Sequence, residues 1–419
     1  MVEHSENIYR IISSCRSCKG KNLAPYLDLG ITPLANRLIK LENFDQKEPK
    51  FPLIVYYCND CSLSQLNVIV DPKVLFTDYL YMSSISNTFR EHCNSFALNL
   101  KDSLNLSSDD LVVDIASNDG CLLEEFKKLN IKTLGVEPAV NLSKLANSNG
   151  IETLNDFWNK EIATKILNKY RGAKLITAFN VFAHVDDIHE FIENVKIALN
   201  DNGIFVIQVP YLIDFLEKHE FDTVYHEHLS YFLLKPLQYI LEKHNMKIIM
   251  VKKYSIHGGT IEIRAMNNND FIKDISSNVN DFIDIEKNYG CYNSEYYLNF
   301  ANEVKNIKKN LTELISELSK QGKKIAGFGA SAKGNTLLNY CGIDSNSIQY
   351  IIDETPTKQN FLTPGSHIPI VPISYIHTNP TDYLVVFAWN FIDEVMEKTK
   401  SFKNNGGKYI IPIPETHII

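Results

Sequence analysis

Short apolar runs recur along the middle of the chain, at residues 111–115, 133–136, 175–178 and 204–210, and helical stretches separate them. Runs of this length, rich in Val and Ile, are buried strands, and their alternation with helices predicts an α/β domain with a largely parallel sheet. A second pattern of the same kind begins at Lys324, with strands at 325–328, 350–352 and 383–388 and a helix after Gly334. Between the two, residues 267–320 are polar and charged, with Ile307, Leu311, Leu314, Ile315 and Leu318 at helical spacing, which predicts a helical bridge.

The amino-terminal stretch follows neither pattern. Residues 11–72 hold short apolar pieces and turn residues such as Gly30 and Pro33, too little for a core of their own, and a pair of CxxC motifs. Residues 73–106 connect this segment to the first α/β pattern, with a helix expected at 87–100. The expected division is 1–72, 73–266 and 267–419, which suits a chain of 419 residues, too long for one ordinary core.

Composition narrows the function. Hydrophobic residues at 44% and charged residues at 22% are those of a soluble globular protein. The net charge of -8 argues against nucleic acid or an anionic membrane as the main partner and favours a small molecule. The polar first ten residues lack the apolar stretch of a signal peptide, no apolar run reaches 18 residues, and the expected location is cytoplasmic.

Of eight cysteines, four fall in the pairs Cys15-Arg-Ser-Cys18 and Cys58-Asn-Asp-Cys61. In a reducing compartment such pairs mean metal, and two knuckles supply the four thiolates that tetrahedral zinc prefers. Four protein ligands leave no open position, so the zinc is structural. The alternative, four buried hydrophobic thiols, does not account for the spacing.

Val112-Val-Asp-Ile-Ala-Ser-Asn-Asp-Gly120 is a strand entering a loop of small and polar residues, where a backbone can approach a ligand. One glycine makes it a poor dinucleotide fingerprint. Gly135-Val-Glu-Pro138 ends the next strand in a carboxylate placed for two ribose hydroxyls, and Asn155 and Asn180 fall at the next two strand ends. This spacing serves NAD and S-adenosylmethionine (SAM) equally.

Residues 221–231 concentrate Tyr225, His226, Glu227, His228 and Tyr231. In an extended segment His226 and His228 share one face and Tyr225 and Glu227 the other, and any turn changes that. A metal on His226, Glu227 and His228 is the rival, although adjacent ligands converge only with further partners. Gly258 and Gly259 predict a turn into an alternating strand that could bring His257 to the same pocket, or a turn alone. Gly327-Phe-Gly-Ala-Ser-Ala-Lys-Gly334 is similar to a phosphate cradle at a helix start, without the GK[ST] of a Walker motif.

Taken together, the four cysteines, DIASNDG, GVEP, NVFAHV, YHEHLSYF, HGGT and GFGASAKGN resemble the zinc-containing nucleotide-sugar C-methyltransferases that make branched deoxysugars such as mycarose and tetronitrose. The resemblance runs from Cys15 to the carboxyl end. It implies SAM in a central Rossmann-like domain, contacted by Asp114, Ser117, Asn118, Glu137, Pro138, Asn155 and Asn180. It implies a 4-keto nucleotide-sugar, linked to dTDP, GDP or CDP, held between the central and a carboxyl-terminal α/β domain with Ser331 and Lys333 near the pyrophosphate, and His226 and His257 are further substrate-binding candidates. It places the base on His228, with Tyr225, Glu227, Tyr79 and His184 around it. An imidazole suits removal of a proton acidified by an adjacent ketone. An O- or N-methyltransferase, an NAD-dependent sugar oxidoreductase or epimerase, and a zinc-bearing binding module are the alternatives.

Overall fold

The computed structural model describes residues 8–77, 79, 82–269 and 278–419, the His257 side chain excepted. Strands β1 (Leu23–Pro33), β2 (Lys50–Cys58) and β3 (Ser64–Leu66) form an antiparallel sheet. Burial alternates along β2, as it must for a strand with one face on a core. The cysteine knuckles sit at one end of this sheet: Cys58 closes β2, and the chain turns through Ser62 at φ 67° before β3. The first knuckle turns the same way, through Lys19 at φ 60°.

The fourth strand of this sheet, Ser230–Tyr231, comes from far along the chain and pairs antiparallel with β3, Ser230 opposite Gln65. The amino-terminal unit is therefore completed by the segment that carries the Tyr-His-Glu-His cluster.

The central sheet has seven strands: β4 (Leu111–Ile115), β5 (Lys132–Val136), β6 (Thr153–Leu154), β7 (Ala173–Phe179), β8 (Leu199–Pro210), β9 (Met246–Tyr254) and β10 (Thr260–Asn267). Their order is β6-β5-β4-β7-β8-β10-β9, with the first five parallel and β10 antiparallel to both neighbours. Order reverses between β4 and β7, the switch point at which open α/β sheets bind ligands. The closing hairpin sets it apart from a six-stranded parallel dinucleotide sheet.

The helix α1 (Asn87–Leu104) is capped by Ser86, whose side chain accepts from the Phe89 amide, and covers one face of this sheet through Phe89, Phe96 and Leu100. Two helices, α2 (Val279–Asn288) and α3 (Ser294–Lys320), occupy the stretch expected as a helical bridge. Ile307, Leu311, Ile315 and Leu318 are buried on α3. Its amino-terminal half packs on the amino-terminal sheet, where Tyr297 lies 4.5 Å from Tyr57 and 4.9 Å from Tyr26, ring centre to ring centre. Burying one such ring is worth about 2–3 kcal/mol, so this helix also binds the units together.

The carboxyl-terminal sheet comprises β11 (Ile325–Phe328), β12 (Ile351–Ile352), β13 (Ile370–Val371), β14 (Tyr383–Val386), β15 (Lys408–Ile411) and β16 (His417–Ile418). The order β13-β12-β11-β14-β15-β16 is parallel except for the last strand. Helix α4 (Ala332–Cys341) leaves the end of β11. Asn335 on α4 donates to the carbonyl of Ala35 at 2.7 Å, and Phe361–Leu362 pairs with Ile39–Lys40, so this sheet too is tied to the amino-terminal unit. Among the described residues no helix is long and apolar enough to cross a membrane.

Candidate active site

The sulfurs of Cys15, Cys18, Cys58 and Cys61 lie within 4.8 Å of one another, and the pairs Cys15–Cys61 and Cys18–Cys58 are 3.6 Å apart. Tetrahedral zinc with sulfur at about 2.3 Å needs sulfurs just under 4 Å apart, so the residues fit that ion. Gln65 donates to the Cys15 sulfur at 3.1 Å and accepts from the Arg16 amide at 3.0 Å. Among the described residues this is the one cluster of metal-ligating side chains, and His226, Glu227 and His228 do not form a second.

A cavity of about 590 Å³ opens at the carboxyl ends of β4, β5 and β7, with walls from all three parts of the chain. On the sheet side the loop after β4 carries Ala116, Asn118 and Gly120 at φ 53°, 54° and 84°. Three left-handed residues at alternate positions are the conformation of a glycine-rich ligand loop, here built with one glycine. The missing glycines made the motif look weak in sequence, although Asn is the residue that best tolerates this region after glycine.

Glu137 closes that loop: its carboxylate accepts from the amides of Asn118 and Ala139, each at 2.8 Å, and Asn155 donates to the Glu137 carbonyl at 2.9 Å. Burial pushes the Glu137 carboxyl above its ordinary range. Asn118, Glu137, Pro138 and Asn180 all line the cavity, and the buried Oδ1 of Asn180 has no partner among the described residues. An unpaired buried acceptor in a ligand-sized cavity fits a bound group with donors, as SAM has. Asp114, Ser117 and Asn155 do not line it. Asp114 accepts from Thr177 at 2.6 Å beneath the floor, where burial raises its carboxyl to about 7.

The opposite wall is the turn Tyr225–His228, closed by a bond from the His228 amide to the Tyr225 carbonyl at 2.9 Å. Because the segment turns, Tyr225 and His228 come to one side, with ring centres 4.1 Å apart. His228 Nδ1 lies 2.8 Å from the Thr223 carbonyl. A carbonyl can only accept, so Nδ1 bears the hydrogen and Nε2 keeps its lone pair. Burial lowers this imidazole to about 4, which keeps it neutral at physiological pH. His184 meets the same ring edge to face at 4.9 Å and is lowered too, by burial and by His228.

His226 turns away. Its Nε2 lies 3.1 Å from the Pro52 carbonyl and its ring meets Phe51, so it packs on the amino-terminal sheet and leaves the cavity to its neighbours. Glu227 also stays behind the wall. It accepts from Asn36 at 2.7 Å and from the Tyr79 hydroxyl at 3.0 Å, and burial raises its carboxyl to about 7. Asn36 and Tyr79 themselves line the cavity. Asn36 lies between the two knuckles with no motif around it, and nothing in the sequence marks it.

The carboxyl-terminal sheet closes the cavity with residues 330–333 and Lys358. Ser331 caps α4, its hydroxyl accepting from the Gly334 amide at 3.1 Å. Lys333 reaches inward, 3.6 Å from Glu220 and over the ring of Trp389, and Lys358 donates to the Ala330 carbonyl at 3.0 Å. The Gly258–Gly259 turn, at φ 93° and 142°, packs against Glu220 and Asp214, and a Cβ at either glycine would meet those carboxylates at 2.4 and 2.3 Å. The side chain of His257 lies outside the described residues.

Three family models match this chain: "Putative zinc binding domain" over 15–76, "Methyltransferase domain" over 88–251 and "C-methyltransferase C-terminal domain" over 255–414. The chain is 34% identical to the C-methyltransferase NovU of Streptomyces niveus over 414 residues, which is 99% of this chain and 98% of that protein. The chain belongs to the C-methyltransferase family. Solved structures similar to this C-methyltransferase include a SAM-dependent methyltransferase of Clostridium acetobutylicum, 15% identical, with TM-score 0.35 over 43% of this chain and 92% of that one. The glycopeptide N-methyltransferase MtfA is 11% identical, with TM-score 0.34 over 42% of this chain and 95% of that one. This C-methyltransferase thus joins a zinc-binding four-cysteine module to a SAM-binding methyltransferase fold and a second α/β sheet.

Proposed function

We propose that this C-methyltransferase acts on a 4-keto-deoxy nucleotide-sugar, at C-3 beside the ketone, with His228 as the base. The observation that carries the reading is the neutral His228 imidazole, its Nδ1 hydrogen committed to Thr223, in a cavity walled by all three units. Carbon methylation next to a ketone requires a C–H proton to be removed first, and a buried imidazole with one free lone pair is built for that. When bound, SAM supplies an electrophilic methyl group. The His184 and Tyr225 rings hold the imidazole in place from two sides.

In this reading residues 1–72 bear the zinc, 73–266 bind SAM and 267–419 take the nucleotide, whose linkage is dTDP, GDP or CDP. Ser331 and the amino terminus of α4 suit an anionic group. Lys358, at the same wall, is a further cation. A cytoplasmic location agrees with such a substrate.

The test is solvent deuterium exchange into a panel of 4-keto-6-deoxy nucleotide-sugars, followed by NMR without SAM, then mass spectrometry after SAM is added. Exchange at C-3 followed by gain of one methyl is the expected result. His228→Asn should cut both by about 10²-fold or more while still binding SAM. Absence of exchange and methylation with every sugar in the panel would reject the reading.

A further inference from the structure

We infer that Glu227 works as a protonated acid, passing its proton through Tyr79 to the substrate ketone, and that Asn36 of the zinc module selects the carboxyl oxygen that carries it. The inference rests on the reading above, and it concerns what faces the base across the reacting carbonyl.

Glu227 does not line the cavity, so it touches no substrate and can act only through a neighbour that does. Among the described residues its side-chain hydrogen-bond partners are Asn36 and Tyr79, both in the cavity wall. Asn36 Nδ2 donates to Oε1 at 2.7 Å, which commits that oxygen as an acceptor. A proton on this carboxyl therefore sits on Oε2, the oxygen 3.0 Å from the Tyr79 hydroxyl.

The polarity of the Glu227–Tyr79 bond depends on that proton. With Glu227 ionised, the single hydrogen of Tyr79 is held by the carboxylate and is withheld from the ketone. With Glu227 protonated, Oε2 donates to the phenol oxygen, and the phenol hydrogen turns to the cavity. Only the second state activates a carbonyl.

The surroundings favour the second state. The groups that face Glu227 from the elements packed on it are the Asn36 amide and the Tyr79 phenol, both uncharged. Its chain neighbours His226 and His228 are committed to Pro52 and Thr223. Among the described residues no cation holds it ionised, and burial raises the carboxyl to about 7.

The step balances. His228 Nε2 takes the C-3 proton, and the C–H electron pair becomes the C-3–C-4 double bond. The carbonyl π pair moves to oxygen, which takes the Tyr79 proton, while Tyr79 takes the proton of Glu227. The product is a neutral enol, an imidazolium and a carboxylate. When the enol carbon gains its methyl, the ketone reforms and its O–H proton returns through Tyr79 to Glu227. The one proton released in the reaction is left on His228.

Glu227→Gln decides the matter, because a glutamine can turn its oxygen to Asn36 and its amide N–H to Tyr79, fixing the acid-form polarity. Deuterium exchange without SAM is measured from pH 5.5 to 9 in the wild type, Glu227→Gln and Tyr79→Phe, with SAM affinity and zinc content as folding controls. Wild-type exchange should fall above pH 7, approaching tenfold per pH unit. Glu227→Gln should retain about a tenth or more of the rate at pH 6 and stay flat to pH 9, overtaking the wild type there. Tyr79→Phe should lose about 10²-fold, and adding Glu227→Gln to it should cost nothing more. Wild-type exchange that rises through pH 7, with Glu227→Gln inactive at every pH, would overturn the inference while leaving C-methylation intact. A wild type that exchanges no sugar removes both.

Discussion

Arg16, inside the first cysteine knuckle, donates from its guanidinium to the carbonyl of Leu229 at 2.7 Å, one residue beyond the proposed base. The same nitrogen lies 3.1 Å from the Leu66 carbonyl and 3.3 Å from the Gln65 side chain, and the Leu66 amide donates to Leu229 at 3.0 Å. Gln65 in turn touches the Cys15 sulfur. A continuous set of hydrogen bonds thus runs from the zinc thiolates to the turn that holds His228.

Arg16→Gln should therefore lower exchange and turnover by about tenfold or more, since breaking buried charged hydrogen bonds costs about 1–3 kcal/mol and releases the turn. The proposed SAM pocket lies across the cavity, on the sheet, so SAM affinity should change less than threefold. Parallel measurement of exchange rate, SAM titration and bound zinc checks this. A variant that keeps its zinc and exchanges at the wild-type rate would show that the turn holds His228 without Arg16.

Glu137→Gln tests the other wall. The carboxylate accepts from two backbone amides, and a glutamine can offer only one acceptor, so its N–H₂ must face one of those N–H groups. The loop through Asn118 should loosen, and SAM affinity should fall about 10- to 100-fold, the equivalent of one unsatisfied buried group. Calorimetric titration of SAM reads the effect, with zinc content as control. Affinity within twofold of the wild type would mean that the loop holds its shape without this carboxylate.

The layered plan was legible because it rests on periodicity. Strands β4, β5, β7, β8, β11, β12 and β14 lie where short apolar runs stand, and α3 follows its helical spacing, whereas β13, β15 and β16 were not expected. Contacts between distant segments were not legible. Ser230–Tyr231 is two residues long and gains its strand character from β3, a partner far away in sequence. The fate of Tyr225, His226, Glu227 and His228 depended on one turn: an extended segment would have paired His226 with His228, whereas the turn sends His226 to Pro52 and brings Tyr225 to His228. Asn36 carries no local signal, because its importance lies wholly in reaching Glu227 from 191 positions away.

The buried carboxyl of Glu227 also has a measurable effect on stability. Its folded value of about 7 lies above the ordinary 4.5, so between these limits the folded protein binds the proton more tightly than the unfolded chain. Its contribution is fully present below pH 4.5 and is lost as pH rises through 7. The displacement corresponds to roughly 3 kcal/mol. His226 and His228, lowered to about 4, act with the opposite sign: they favour the folded state above pH 6.5 and cost stability as the pH falls toward 4. These opposing terms overlap in pH, so the Glu227 contribution is visible only by difference. Glu227→Gln has no carboxyl to ionise, so relative to the wild type it should gain up to about 3 kcal/mol between pH 4.5 and pH 8. Urea unfolding of both proteins at the two pH values measures this directly. A difference independent of pH would mean that the wild-type carboxyl titrates near its ordinary value, and the proton assigned to Oε2 would not be held there.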